Sequence, residues 1–202
     1  MPAETDDLTF HRTSDVEDVR QTILDLHAEV RGDFGLMSKP FNSIERFDER
    51  LTAYAQRPGW EAVVARTAVG EPVGFCFGTP LGPNTSWWTA MTIPLPEGFT
   101  AETGSRTLAF QEICLRKPWR GQGAARHLHD ELLAGHVEER VTLLVDPTAG
   151  EGRVQAVYES WGYEQIGQQQ PFADSPVFAV MMRNLRTTEP RRDGPVRSLD
   201  EP

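Results

Sequence analysis

The sequence predicts one α/β domain built on a mixed central sheet. Its 202 residues suffice for one domain with a full core and are few for two. Strand-like runs and helix-like faces alternate along the chain, which is typical of an α/β fold. The run 141–145 has the apolar character of a centrally placed parallel strand. A glycine-rich turn at 120–123 opens a helix with Ala125, Leu128 and Leu132 on one apolar face.

Each element is predicted from its own local pattern. Short apolar runs indicate strands, and two of them form a hairpin across Gly70, Glu71 and Pro72. Apolar residues at helical spacing indicate helices, the first with a capping box of Ser14 and Glu17. The predicted strands are 8–11, 60–65, 73–77, 107–115, 141–145 and 176–182. The predicted helices place their apolar positions within 16–30, 44–54, 125–133 and 154–161.

Composition restricts the class of protein. The formal net charge is −10, from 30 acidic and 20 basic residues, which argues against nucleic acid or an acidic membrane surface as partner and favours a cationic small substrate. Both cysteines, Cys76 and Cys114, lie in apolar runs, so a disulfide framework and a Cys-rich metal site are not expected. The N-terminus lacks the pattern of a signal peptide, and no stretch has the length of a membrane span. We therefore expect a soluble, cytoplasmic protein.

The turn at residues 120–125 has the features of a phosphate-binding site. Gly121 and Gly123 can take positive φ angles and allow backbone N–H groups to approach a ligand. The start of a helix carries free N–H donors and partial positive charge, and Arg120 adds a cation. A P-loop would need Lys followed by Ser or Thr, where Ala124 and Ala125 stand, and the third glycine of a Rossmann fingerprint is missing.

This turn resembles the Q/R-x-x-G-x-G/A signature of the GNAT superfamily of N-acetyltransferases, through Arg120, Gly121, Gln122, Gly123, Ala124 and Ala125. Residues 158–163 are similar to the Y-x-x-x-G-F/Y ending of that family, and the element order matches over residues 8–185. The resemblance implies the GNAT fold, with six to seven strands and about four helices. It also implies that 120–125, with Cys114 and Leu115, bind acetyl-CoA. Lys117 and Glu151 stand where the family usually has Pro and Asn, so those contacts are not transferred.

Two residues are candidates for acid–base chemistry in acetyl transfer. The resemblance assigns to Tyr158 the protonation of the leaving thiolate, and a core tyrosine is the alternative interpretation. An ammonium must lose a proton before it attacks a thioester, and Glu112 is the nearest candidate to accept it. The alternative for Glu112 is an ion pair with Arg116. The family takes its oxyanion donor from the backbone of the fourth strand, here near Leu115.

The remaining candidates are weaker. Trp87 and Trp88 lie in a long irregular segment, 79–105, where they form either an aromatic wall for a substrate or a satellite core. Asp146 follows a predicted strand and is a candidate for attracting the substrate. His127 and His129 lie two residues apart and face different directions, so we expect histidines on the helix surface and no metal site.

Together these patterns predict an N-acetyltransferase that transfers an acetyl group from acetyl-CoA directly to a primary amine of a small cationic substrate. An aminoglycoside-like antibiotic, a polyamine and an amino-acid amine all fit. A protein lysine or N-terminal acetyltransferase and a non-catalytic acyl-CoA sensor remain as alternatives. The sequence leaves the oligomeric state open, a homodimer included. Residues 1–7 and 186–202 are expected to be disordered ends, because they have little apolar periodicity.

Overall fold

The computed structural model describes residues 7–185. The two predicted disordered ends lie outside this range, apart from Asp7. Within it, no helix combines the length and the apolar content needed to cross a bilayer.

Seven strands form a single sheet, and four α-helices cover its two faces. The strands are β1 (Thr9–Thr13), β2 (Glu61–Arg66), β3 (Pro72–Pro80), β4 (Thr107–Leu115), β5 (Arg140–Val145), β6 (Glu164–Gln169) and β7 (Phe178–Asn184). The helices are α1 (Val16–Asp33), α2 (Ile44–Ala55), α3 (Ala124–Ala134) and α4 (Arg153–Ser160). The strand order is β1-β2-β3-β4-β5-β7-β6, and among these neighbours only β4 and β5 run parallel. The predicted mixed sheet and the predicted number of elements are confirmed.

Local sequence explains most of the elements, with two exceptions. The first helix begins one residue later than predicted, because the Asp15 carboxylate accepts the Glu17 N–H at 3.0 Å and Ser14 is not the cap. Strand β6 is missing from the local predictions, since its sequence, EQIGQQ, carries a single large apolar residue. It lies at the edge of the sheet, where only one neighbour supplies a ladder of hydrogen bonds and solvent covers much of the strand.

The sheet separates two hydrophobic layers. Helices α1 and α2 pack on one face, around Phe47, Phe75 and Phe77. Helix α3 packs on the other face through Leu128 and Leu132, together with residues of α4. Because the central strands are covered on both faces, they are apolar along most of their length, as predicted for 141–145.

Strands β4 and β5 pair over only part of their length. The parallel ladder joins residues 107–110 to residues 140–143, and it ends at Phe110 and Leu143, although β4 continues to Leu115. A β-bulge accompanies this separation: Phe77 of β3 faces Glu112, whereas the next residue, Gly78, faces Phe110. Gln111 is thus the extra residue of β4, and a bulge of this kind bends its strand. A gap therefore opens between the carboxyl-terminal parts of the two parallel strands.

The long loop before β4 is held in place by a buried polar cluster. One carboxylate oxygen of Glu102 accepts hydrogen bonds from Trp88 Nε1 at 3.0 Å, Thr107 Oγ1 at 2.8 Å and Arg140 Nη2 at 3.1 Å. The Trp88 ring packs edge-on against Phe99, with centroids 5.8 Å apart. This loop is consequently a satellite core over the sheet, and Trp88 is part of it.

The expectation of two surface histidines on α3 is wrong for His129. His127 is exposed, but His129 is fully buried, with Nε2 2.8 Å from Tyr163 Oη and Nδ1 2.9 Å from Asp130 Oδ1. Its ring lies among the rings of Phe110 and Trp161. The buried face of α3 is wide enough to include His129, which directly follows Leu128. Burial lowers the pKa of His129 to about 4.

This low pKa predicts an acid-dependent loss of stability. In the unfolded chain His129 takes up a proton near pH 6.5, whereas in the folded chain it does so only near pH 4. The free energy of unfolding should therefore fall as the pH decreases through this window, by roughly 3 kcal/mol in total at about 1.4 kcal/mol per pKa unit. Urea unfolding at several pH values should show this contribution in the wild type and in His127→Gln, and not in His129→Gln. Identical pH profiles for wild type and His129→Gln would contradict the assignment.

Candidate active site

The predicted phosphate-binding turn leads into α3 as expected. Gly121 and Gly123 have φ angles of 76° and 89°, which disfavour any other residue, and a Cβ atom at either position would meet nothing within 4 Å. The first helical hydrogen bond in α3 runs from His127 N–H to Gly123 O. The preceding N–H groups, on 124–126, have no helical acceptor and face the start of the helix. This end of α3 therefore offers backbone donors beside open space.

Arg120 connects this turn to the rest of the protein. Its Nε donates to Leu115 O at 2.8 Å, and its Nη2 lies 2.8 Å from an oxygen of Asp33 at the end of α1. The guanidinium also lies over the ring of Phe34, 4.7 Å from its centroid. These contacts fix the turn against the end of β4. The contact of Arg120 with phosphate remains a prediction. The carboxylate of Asp33 already partly neutralises the charge of Arg120.

The other predicted cofactor residues lie at the same end of the sheet. Gln122 donates to Pro118 O at 2.5 Å, and Ala124 is fully buried under the turn. Cys114 is buried in the layer formed by α1 and α2, and burial raises the pKa of its thiol. That thiol stays protonated at neutral pH and is not a nucleophile. The side chain of Leu115 points to the opposite layer, against α3.

Glu112 forms an ion pair, but its partner is not Arg116. Arg31 Nη2 of α1 lies 2.5 Å from Glu112 Oε1, whereas Arg116 pairs with Glu29 and Glu71 on the surface. Only 14% of the Glu112 side chain is exposed. The second carboxylate oxygen of Glu112 has no hydrogen-bond partner within the described part of the chain, so it is available to accept a proton.

Tyr158 lies on the other face of the sheet. It is buried on α4, edge-on to the rings of Trp161 and Tyr163 at 5.3 and 5.7 Å. Burial raises the pKa of its hydroxyl far above the usual value, and the negative charge of Glu112 raises it further. Tyr158 is therefore protonated at neutral pH. Among residues 7–185 its hydroxyl has no hydrogen-bond partner.

A cavity of about 330 Å³ lies on the face of the sheet that carries α1 and α2. It reaches the gap between β4 and β5 through Gln111, Glu112 and Leu144, the residues next to the point where the ladder ends. Its aromatic lining consists of Phe41, Phe47, Tyr54, Trp87, Phe172 and Phe178. Its charged lining consists of Arg31, Arg50, Arg57 and Glu112. A small molecule in this cavity would lie beside Glu112.

The structure separates the three residues suggested for substrate binding. Trp87 lines the cavity, whereas Trp88 belongs to the satellite core. Asp146 lies outside the cavity, and its Oδ1 accepts hydrogen bonds from the N–H and the hydroxyl of Thr148 at 2.9 and 2.7 Å. Asp146 therefore stabilises the turn after β5.

The arginines of the cavity did not stand out in the sequence. Arg50 lies three residues after Phe47 and four before Tyr54, on the apolar face of α2. A charged residue on the apolar face of a helix is unusual, and this pattern in the sequence could have marked Arg50 as a candidate functional residue. The acidic residues of α2 do not line the cavity, and two of them, Asp48 and Glu49, pair with arginines. No group of three metal-ligating side chains occurs within residues 7–185.

Comparison with solved structures identifies this architecture. An acetyltransferase of the GNAT family from Streptococcus agalactiae superposes with a TM-score of 0.64 at 16% identity, over 88% of this chain and 96% of that chain. An acetyltransferase from Thermus thermophilus superposes with a TM-score of 0.59 at 15% identity, over 89% of this chain and 99% of that chain. The chain has the GNAT acetyltransferase fold. No protein-family model and no curated protein sequence matches it. Tyr158 belongs to the same hydrophobic layer as Phe110 and Leu143, the last paired residues of β4 and β5, and Glu112 lies two residues after Phe110 on β4.

Proposed function

We propose that the protein is an acetyl-CoA-dependent N-acetyltransferase that acetylates the primary amine of a small molecule. The observation that carries this proposal is the gap between β4 and β5. It lies between the turn at 120–125 and Tyr158 on one face of the sheet, and Glu112 with its cavity on the other. Two ligands entering from opposite faces would meet there. The GNAT fold and the acetyltransferases that share it support transfer of an acyl group.

The residues at the start of α3 fit a diphosphate-containing cosubstrate. The positive φ angles of Gly121 and Gly123 leave open space beside N–H groups that no helical carbonyl accepts. Residues 120–125 would hold the phosphates, with backbone groups of Cys114 and Leu115 further along β4. Bound acetyl-CoA would supply an acetyl group that is activated as a thioester.

Glu112 is suited to accept the proton of the acceptor amine. Arg31 holds Glu112 Oε1 and thus fixes the orientation of the carboxylate, while the other oxygen remains free. An ammonium has no lone pair, so removal of its proton must precede attack.

Tyr158 is suited to donate a hydrogen bond to a leaving sulfur. Its burial keeps the phenol protonated, because a phenolate would be poorly solvated there and would face the charge of Glu112. A thiol has a lower ordinary pKa than a phenol, about 8.5 against about 10, so complete transfer of the proton from Tyr158 is unfavourable. We infer that Tyr158 stabilises negative charge on sulfur by donating a hydrogen bond, and that the departing thiolate takes its proton from water.

The cavity favours a small acceptor, because it is lined largely by aromatic side chains with a few polar groups, and the loop around Trp87 and the β6–β7 connection contribute to this lining. The three acceptor types predicted from the sequence, an aminoglycoside-like antibiotic, a polyamine and an amino-acid amine, all supply a primary amine. A non-catalytic acyl-CoA sensor would need neither Tyr158 nor Glu112. Release of free thiol from acetyl-CoA with any of a panel of amines supports the enzyme; binding of CoA without turnover on the whole panel supports the sensor.

Gly123→Ala should weaken the binding of CoA. A side chain at a φ of 89° costs about 1–3 kcal/mol of strain and shifts the first N–H groups of α3. Gly98→Ala is the matched control, since Gly98 has a φ of 73° and open space, but lies in the loop before β4. Calorimetry should show an affinity loss of about tenfold or more for the first variant and none for the second. Equal CoA affinities in the two folded variants would place the cosubstrate elsewhere.

Tyr158→Phe should lower kcat by about a hundredfold and leave CoA affinity unchanged. The removed hydroxyl has no partner in the described protein, so the stability should change little. Tyr163→Phe provides the opposite control, because that hydroxyl bonds to His129 at 2.8 Å and should affect stability more than kcat. Steady-state kinetics and urea unfolding of both variants measure this contrast. A Tyr158→Phe enzyme with normal kcat, when acetyl transfer limits the rate, would make Tyr158 a core residue only.

Glu112→Gln should reduce kcat/KM most at low pH. Below the pKa of the amine nearly every acceptor molecule carries the proton that Glu112 removes, whereas at higher pH the free amine forms without it. The loss should therefore shrink as the pH rises. Glu71→Gln is the control, because Glu71 pairs with Arg116 on the surface. A loss of the same size at every pH would indicate that Glu112 only positions Arg31.

A further inference from the structure

Arg50 is a buried cation that lacks a carboxylate partner. Only 7% of the residue is exposed, and one nitrogen, Nη1, donates to the backbone oxygens of Phe41 and Arg46 at 2.7 and 3.2 Å. The guanidinium lies over the Phe41 ring, 3.9 Å from its centroid. Within residues 7–185 no carboxylate lies within ion-pair distance of Arg50, and its Nε and Nη2 have no hydrogen-bond partner. The side chain lines the cavity.

A guanidinium in this position is costly without an anion. Arginine remains charged at neutral pH even when burial lowers its pKa, as it does here. Removing a charge from water costs several kcal/mol unless an opposite charge or hydrogen bonds compensate for it. A ligand anion in the cavity would provide that compensation.

The other charged residues that line the cavity, Arg31, Arg57 and Glu112, also sum to a positive charge. Arg57 also lines the cavity. Its guanidinium carbon lies 5.2 Å from the centroid of the Tyr54 ring, and it has no ion-pair partner among the described residues. Arg31 and Glu112 neutralise each other. Arg50 and Arg57 thus leave the cavity positive, although the whole chain has a net charge of −10.

Several buried polar atoms in the wall of the cavity have no hydrogen-bond partner. Gln169 is fully buried, and neither its Nε2 nor its Oε1 has a partner. Trp87 Nε1 and Gln111 Nε2 are likewise buried and unpaired. These side chains supply three N–H donor groups and one oxygen acceptor, and all three line the cavity. Buried polar groups are nearly always paired, so this set is best completed by a ligand with oxygen acceptors.

We propose that the acceptor is an amine that also carries a carboxylate and an aromatic body, as an aromatic amino acid does. The inference rests on the proposed function and names its substrate class. Arg50 and Arg57 bind the carboxylate, Glu112 receives the amine, and the six aromatic side chains of the cavity pack against the body. A polyamine or an aminoglycoside would instead bring additional positive charge towards two unpaired arginines. Of the three acceptor types predicted from the sequence, this proposal selects the amino-acid amine.

The test compares acceptors that differ only in the carboxylate. L-phenylalanine is paired with phenethylamine, and L-tryptophan with tryptamine. Calorimetry of the full chain with each compound, at a pH where all four amines are protonated, measures binding independently of acetyl transfer. Arg50→Gln and Arg57→Gln each remove one charge from the cavity. Arg20→Gln is the control, since Arg20 pairs with Glu17 and Asp48 away from the cavity.

We expect the carboxylate-containing member of at least one pair to bind about tenfold more tightly or better in the wild type. The ratio of the two affinities should fall towards one in Arg57→Gln, and in Arg50→Gln if that variant folds. Arg20→Gln should keep the wild-type ratio. The affinity for the decarboxylated amine should not fall in either cavity variant.

Equal or tighter binding of the decarboxylated amines, or no measurable binding of any of the four compounds, would overturn the proposal. So would a preference for the carboxylate that survives in Arg57→Gln and in every folded Arg50→Gln sample. Selective binding without release of thiol from acetyl-CoA would support carboxylate recognition and refute the proposed acetyl transfer, so the two failures can be distinguished.

Discussion

The early end of pairing between β4 and β5 determines where the functional groups of this protein lie. Two parallel strands in the middle of a sheet would normally continue side by side to their ends. Here the ladder stops at Phe110 and Leu143, and the bulge at Gln111 turns the rest of β4 away. The backbone of the last part of β4 is therefore separated from β5, in a position where the cores on both faces are otherwise tightly packed.

The contrast between total charge and local charge has a direct physical cause. The net charge of −10 sums groups that are mostly on the surface, where water and salt screen each of them within about 10 Å. A ligand in the cavity interacts instead with the few charges that line it, in surroundings of lower polarity. Those charges are an internally neutralised pair, Arg31 and Glu112, and two arginines without carboxylates. The net charge of the chain therefore does not predict the sign of the charge in this cavity.

Local patterns predicted most of the fold. The limits of β4 were predicted correctly, and the helices were located by their apolar faces, because each buried element must present apolar residues at its own period. Strand β6 was missed since an edge strand needs little apolar content, and His129 was placed on the surface because only packing shows how wide the face of α3 is. The glycine turn before α3 was predicted correctly because positive φ angles strongly favour glycine. The ion pair between Arg31 and Glu112 could not be predicted from local patterns, because 81 residues separate the two in the chain.

We propose that a cosubstrate held at the start of α3 and an acceptor in the cavity meet in the gap between β4 and β5. A crystal structure of the protein with CoA would show whether they do. We expect the phosphates to contact the backbone N–H groups of residues 121–126, and the thiol to lie in the gap, within hydrogen-bond distance of the Tyr158 hydroxyl. A thiol outside the gap, or phosphates bound away from the start of α3, would contradict it.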